Sequence, residues 1–317
     1  MLIQVLLLIG GFVLLIKGAD WLINGASSLA RAKNVPDLII GLTIVAFGTS
    51  APELIVNTVA SFEEREELVF GNVIGSNNFN LFLILGVTGL ISPLVVQRNT
   101  VRKEIPISLV ATLILFFLAN NFISSESVLT RFDGVILFTL FLAFLVYIKK
   151  QLSNKPEEST AEPQEISNLK IAGLVSLGLI GLILGGKLVV DSASNIAGYF
   201  GVSEKIIGLT IVAAGTSLPE LATSVMAGIK KNADIAVGNI IGSNIFNILL
   251  ILGSSALVRP LMYDPVFNTD IYLLLGGTIF IMIFMYTGQK MKLDRWEAFV
   301  LLTCYLIYTA WLISKEM

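Results

Sequence analysis

One polar motif set occurs twice in an otherwise apolar chain, at a fixed offset of 167 residues, and this repetition limits the possible folds more than any other feature. Gly41 to Leu54 (GLTIVAFGTSAPEL) matches Gly208 to Leu221 with two differences, Ala214 for Phe47 and Leu218 for Ala51. Gly71 to Asn80 (GNVIGSNNFN) matches Gly238 to Asn247 at the same offset without a gap. Chance similarity between apolar helices does not keep Gly, Thr, Ser, Pro, Glu and Asn in step, so the chain is an internal duplication.

The residues around the motifs make the bilayer the solvent. Hydrophobic residues are 55 % and charged residues 14 % of the chain, and the mean hydropathy is +0.84, which no ordinary soluble domain matches. Apolar segments run over Leu2 to Ala30, Leu38 to Phe62, Leu68 to Ile91, Ile105 to Ala119, Val128 to Ile148, Ile171 to Ala197, Ile206 to Ile229, Ile235 to Leu257, Ile271 to Tyr286 and Trp296 to Ile313. Each is near the length a helix needs to cross hydrocarbon, so the pattern predicts an all-α membrane protein with ten transmembrane helices. No basic residue precedes Leu2 to Ile16 and no small-residue cleavage pattern follows it, so this segment is expected to be the first span and not a signal peptide.

One hydrophilic stretch, 149–170, has the Pro, Glu, Ser and Thr content of a flexible linker. It separates a first five-helix repeat, 1–148, from a second, 171–317. An odd number of spans per copy makes the second copy enter the membrane from the other side. The halves are therefore expected to be inverted, as in secondary carriers whose site lies at the repeat interface near the midplane. The loops after odd-numbered spans carry fourteen Lys or Arg, including Arg31, Arg102, Lys150, Lys231 and Lys292; the other side carries five. The positive-inside rule then places the linker in the cytoplasm and both termini outside, in a multi-pass protein of the cell membrane.

Composition also removes classes of chemistry. Histidine is absent and Cys304 is the lone cysteine, so the commonest zinc ligand, the usual proton shuttle, a cysteine metal cluster and a disulfide framework are all missing, and any proton or metal chemistry must use carboxylates and neutral oxygens. An intramembrane hydrolase lacks a nucleophile and base, and the chain is expected not to be an enzyme. A net charge of −2 argues against nucleic acid, and the only evident partners are membrane lipid and small ions, with no obligate protein partner.

Ala46, Thr49, Ser50 and Glu53 stand at i, i+3, i+4 and i+7 and share one face of span 2; Ala213, Thr216, Ser217 and Glu220 do the same in span 7. Pro52 and Pro219 cannot donate to the carbonyls of Gly48 and Gly215, so spans 2 and 7 are expected to be broken helices. Asn72, Ser76 and Asn80 form a polar stripe on span 3, repeated by Asn239, Ser243 and Asn247 on span 8. Lone Ser, Thr or Asn residues in membrane helices ordinarily serve packing. An ionisable residue in hydrocarbon costs about 3 kcal/mol or more, which marks Glu53 and Glu220 as functional. The donor set is almost all hard oxygen, suited to Na⁺ or Ca²⁺. Lys17 with Asp20, and Lys187 with Asp191, have the spacing of structural ion pairs within one helix. Glu63, Glu64, Glu66 and Glu67 read as a solvated acidic loop.

At these motifs the sequence resembles the cation/calcium exchanger superfamily, most closely its prokaryotic Na⁺/Ca²⁺ exchanger branch. The paired G-T-S-x-P-E segments, Gly48 to Glu53 and Gly215 to Glu220, and the paired G-N-x-I-G-S-N segments are similar to that family's alpha repeats. The resemblance implies a Ca²⁺ site built from Glu53 and Glu220 with oxygens of Thr49 and Thr216. It also implies flanking Na⁺ sites drawing on Ala46, Ser50 and Ser76 in one half and Ala213, Ser217 and Ser243 in the other, with Asn80 and Asn247 completing the central layer. Several members carry Asp where this chain has Asn80 or Asn247, which makes potassium co-transport less expected here. No cofactor is implied beyond the transported Ca²⁺ and Na⁺.

The expected function is thus a secondary active antiporter exchanging Na⁺ for Ca²⁺ by alternating access, with glycine-rich spans 1 and 6 as candidate sliding elements. Two carboxylates balance one Ca²⁺ or two Na⁺; a third Na⁺ leaves the site at +1, so three-for-one exchange is electrogenic. The alternatives are a Ca²⁺/H⁺ antiporter using the same glutamates and, in a different class, a passive cation channel.

Overall fold

The computed structural model describes residues 1–98, 100–121, 127–153, 167–200, 213–286 and 291–316, which are overwhelmingly helical. The first half comprises α1 (Leu2–Lys33), α2 (Asp37–Thr49), α3 (Ala51–Phe62), α4 (Glu66–Ile91), α5 (Ile105–Asn120) and α6 (Arg131–Ser153). The second comprises α7 (Asn168–Tyr199), a helical turn Ala213–Gly215, α8 (Leu218–Ile229), α9 (Ala233–Val258), α10 (Asn268–Phe284) and α11 (Arg295–Glu316). Six helices are singly long and apolar enough to cross a membrane, and the bent pair α2–α3 makes a seventh. Among the described residues, α5, the turn with α8, and α11 occupy the remaining expected positions, so helices follow the order expected from sequence, as two inverted repeats.

The two halves interlock. The most apolar stretch of α9 is 94 % buried and that of α4 72 %, against 22 % for α1, which puts α4 and α9 at the centre and α1 at the lipid-facing rim. The first half's α2 lies along α9, α6 packs on the C-terminal part of α9, and α11 packs on α4. Short antiparallel strands seal the helix ends: β1 (Leu94–Val95) pairs with β4 (Lys292–Leu293), and β2 (Val128–Leu129) with β3 (Leu261–Met262). Each pairing crosses between the halves, which satisfies backbone groups that a loop at the membrane edge would leave open.

The long α1 and α7 run antiparallel in close contact. A Cβ on Gly178 would lie 2.6 Å from the Leu22 nitrogen, and one on Gly18 2.7 Å from that of Leu182. The helices therefore touch backbone to backbone, the usual use of small residues where lipid offers no hydrophobic drive.

Sequence-expected breaks are found at the motifs. The backbone bends 47° between α2 and α3, at Ser50 with φ −83° and ψ 7°. Ser217 takes nearly the same angles, φ −89° and ψ 6°. Pro52 and Pro219 then sit in the first turn of the restarted helix, where a missing N–H costs nothing. Wider π-helical turns that the sequence pattern did not announce occur at Gly41–Val45, Phe79–Ile84, Thr100–Glu104 and Phe246–Leu252.

The intrahelical ion pairs expected on α1 and α7 are not formed. Asp20 instead binds Lys230 of the other half, Oδ1 to Nζ 2.6 Å, and Lys187 and Asp191 are exposed and unpaired with each other. Spacing along one helix allowed the contact, but Lys230 at the end of α8 reaches Asp20 from outside the helix. In the acidic loop, Glu63 pairs with Arg65 at 3.0 Å and Glu64 with Arg259. Of the expected linker, 154–166 lies outside the described residues, as does the start of span 7, 206–212.

Candidate functional site

The broken helices place their glutamates at the centre of the molecule. Glu53 and Glu220 are each 1 % exposed, although both sit in first turns where a helix N-terminus favours negative charge. Each is held by the opposite half. Ser50 Oγ lies 2.9 Å from Glu220 Oε1 and 3.0 Å from Ser243 Oγ. Ser217 Oγ lies 3.2 Å from Glu53 Oε1 and 3.1 Å from Ser76 Oγ. A hydroxyl has one proton and an ionised carboxylate only accepts. With both carboxylates ionised, Ser243 donates to Ser50, which donates to Glu220, and Ser76 donates to Ser217, which donates to Glu53.

A second tier repeats the exchange. Thr49 Oγ1 is 3.1 Å from Asn239 Oδ1 and 3.3 Å from the Ala46 carbonyl, and Thr216 Oγ1 is 3.3 Å from Asn72 Oδ1. Asn239 donates on to Ser224 at 3.0 Å and Asn72 to Asn57 at 2.7 Å. Ala46 is fully buried. Ala213 begins the helical turn Ala213–Gly215, and the surroundings of its side chain lie outside the described residues.

One turn beyond the serines, the amides of α4 and α9 lock the halves together. Asn80 Nδ2 donates to Asn244 Oδ1 at 3.0 Å, and Asn247 Nδ2 to Asn77 Oδ1 at 2.9 Å. Asn77 and Asn244 also donate to each other's backbone carbonyls, at 3.2 and 3.3 Å. With their nitrogens engaged, Asn80 and Asn247 present their carbonyl oxygens freely. Asn80 and Asn247 are the second residues of the π-helical turns of α4 and α9, Phe79–Ile84 and Phe246–Leu252, a distortion frequent at functional sites.

The network leaves a characteristic remainder. Among the described residues, Glu53 Oε2, Glu220 Oε2, Asn80 Oδ1 and Asn247 Oδ1 are buried and accept no hydrogen bond. The hydrogen-bond partners of the two glutamates include no Lys or Arg among the described residues. A buried polar atom left unpaired costs about 1–3 kcal/mol, and more when charged. Two carboxylate and two amide oxygens left without a protein partner are hard donors of the kind that suit a hard cation. No group of three or more His, Cys, Asp or Glu is found among the described residues, so the donor set is poor in charge and rich in neutral oxygen.

Of the residues expected from sequence, Thr49, Thr216, Ser50, Ser217, Ser76, Ser243, Glu53, Glu220, Asn80 and Asn247 all join this network. Asn77, Asn244, Asn57 and Ser224 belong to it too and were not singled out. Asn77 and Asn244 lie in the G-N-x-I-G-S-N motif, and their repetition there was an available signal.

Known proteins with the same organisation are found. The family model described as sodium/calcium exchanger protein matches residues 3–150 and 170–314. Sodium/calcium exchanger MaX1 of Methanosarcina acetivorans is 32 % identical over 96 % of this chain and 97 % of its own. Inner membrane protein YrbG of Escherichia coli is 41 % identical over 84 % of this chain and 83 % of its own. The solved structure of the sodium-calcium exchanger NCX_Mj soaked with 10 mM Na⁺ and zero Ca²⁺ superposes with a TM-score of 0.83 at 32 % identity, covering 98 % of this chain and 99 % of that one.

Proposed function

The chain belongs to the sodium/calcium exchanger family and is a multi-pass membrane antiporter that exchanges cations; from that premise we propose that it exchanges Na⁺ for Ca²⁺ at a single shared centre on the pseudo-two-fold axis. Ca²⁺ is bound by Glu53 and Glu220 with Thr49, Thr216, Asn80 and Asn247, and Na⁺ by the flanking oxygens of Ala46, Ser50, Ser76, Ala213, Ser217 and Ser243 together with the same carboxylates. The observation that carries this reading is the set of four buried, unpartnered oxygens on Glu53, Glu220, Asn80 and Asn247.

The mechanism follows from charge. Two carboxylates neutralise one Ca²⁺ or two Na⁺, so the two loads compete for the same negative charge and cannot be held together. A third Na⁺ leaves the loaded centre at +1, and a three-for-one cycle moves one net charge, worth about 2.3 kcal/mol per 100 mV. We place the linker in the cytoplasm and both termini outside, following the loop charges.

The test uses purified protein in Na⁺-loaded vesicles, with ⁴⁵Ca²⁺ uptake followed with and without an outward Na⁺ gradient, and with a pH gradient alone. Uptake driven by the Na⁺ gradient and stimulated by an inside-positive potential is expected, because each Ca²⁺ entering is exchanged for more positive charge leaving. Uptake driven only by the pH gradient would overturn the sodium reading in favour of proton exchange. Flux without any counter-ion would indicate a channel.

A further inference from the structure

The 167-residue offset relates Asp20 to Lys187 and Lys230 to Glu63. The same two positions therefore carry opposite charges in the two halves. On one side of the molecule Lys230, at the end of α8, lies 2.6 Å from Asp20 Oδ1 and donates to Asn24 Oδ1 at 2.5 Å and to the Asp20 carbonyl at 3.3 Å. This ties α8 to α1, and the two helices pack along each other.

The pseudo-two-fold operation carries that contact to the opposite side, where it becomes Lys187 of α7 facing Glu63 at the end of α3. There the contact is absent. Lys187 is exposed and has no ion-pair partner among the described residues, Glu63 is held by Arg65 at 3.0 Å, and α7 does not pack along α3 as α1 packs along α8. Two contacts that symmetry makes equivalent are thus in opposite states, one made and one broken. α1 and α7 are packed backbone to backbone at Gly18 and Gly178, a contact that favours their displacement as one body. By the pseudo-two-fold relation, a joint shift that took α1 off α8 would bring α7 toward α3.

We propose that Asp20, Lys230, Lys187 and Glu63 are positioning residues of the exchange cycle, forming two alternating ionic latches of opposite polarity. Asp20 with Lys230 holds one side shut in the state seen here, and Lys187 with Glu63 holds the other side shut in the reciprocal state. The proposal rests on the antiporter reading above, but none of the four groups touches the ion site. Asp191 occupies the position of Asn24, so the second latch contains one carboxylate that opposes Glu63 and closes less firmly than the first. Partly exposed ion pairs are worth little, so each latch is expected to shift the access equilibrium about two- to fivefold without locking it.

The test uses full-length protein in the Cys304→Ser background, in vesicles, with whichever cation gradient drives exchange. A first variant carries Asp20→Cys with Lys230→Cys, a second Glu63→Cys with Lys187→Cys, and each is treated with a short, reducible, bifunctional methanethiosulfonate. The first pair is expected to bridge at rest and the second only during turnover; either bridge should stop exchange, and reduction should restore it. Failure of the second pair to bridge during turnover, while the first bridges, would overturn the proposal. In parallel, Asp20→Lys is expected to slow exchange several-fold, and adding Lys230→Asp to restore it to within about twofold. A double variant as slow as the single one would also overturn the latch. Bridging does not depend on which ion is coupled, so an error in the sodium reading shows only in the gradient requirement and not in this outcome.

Discussion

Ser50 of the first half donates to the Glu220 carboxylate of the second at 2.9 Å, and the pseudo-symmetric bond from Ser217 to Glu53 is 3.2 Å. The serine at each helix break therefore orients the carboxylate of the other break. Removing one hydrogen bond to a buried charge costs about 1.5–3 kcal/mol, so Ser50→Ala and Ser217→Ala are each expected to weaken equilibrium Ca²⁺ binding by about tenfold or more. Isothermal titration in detergent measures this, and an unchanged affinity would show that the serines do not position the glutamates.

Glu53→Gln and Glu220→Gln keep the shape of the site and remove half its negative charge. Exchange is expected to fall at least about 100-fold in each, equivalent to about 2.7 kcal/mol, with the melting temperature retained or raised because a buried charge has been neutralised. Full activity in either variant would refute the assignment of that residue.

Asn77 offers a test of the amide lock. Asn77→Ala removes the acceptor of Asn247 Nδ2 and the donor to the Asn244 carbonyl together. Expected losses are about 2–4 kcal/mol of stability, from two buried groups left unpaired, with a fall in Ca²⁺ affinity as Asn247 becomes free to rotate. Thermal melts with and without Ca²⁺ separate these effects, and a normal Ca²⁺-dependent rise in melting temperature would argue against the positioning role.

The α1–α7 contact predicts a sharp contrast between two glycines. A methyl at Gly178 would lie 2.6 Å from backbone, whereas one at Gly10 meets nothing within 4 Å. Gly178→Ala is expected to destabilise by about 1–3 kcal/mol and slow exchange, by overpacking, and Gly10→Ala to change stability by no more than about 0.5 kcal/mol. Equal melting temperatures in the two variants would contradict the close approach.

Much of the candidate network could be read from sequence because polar chemistry is expensive in lipid. Glu53 and Glu220, followed through Pro52 and Pro219, stand out from any apolar background, and the duplication pairs them without structural knowledge. Helical spacing likewise placed Ser76 with Asn80, and Ser243 with Asn247. Asn77 and Asn244 escaped because they lie about 100° round the helix from that stripe, facing the other half, and only cross-half packing reveals what they meet. Asn57 hid in the same way among apolar neighbours. The Asp20–Lys230 pair could not be foreseen from the spacing of Lys17 and Asp20, since its partner lies 210 residues away. The π-helical turns of α4 and α9 have no periodicity signal of their own, because they insert a single residue into an otherwise regular helix.

Asn80 and Asn247 are the same residue type in the same setting, each anchored through its nitrogen by the other half's asparagine. If the proposed site holds the ion, an ion arriving from either face of the membrane is offered two-fold-related copies of the same groups. Under the proposed exchange, this symmetry is expected to make the protein a reversible coupling rather than a one-way valve. Rectification, where a cell needs it, has to come from the gradients on either side or from groups outside the symmetric core.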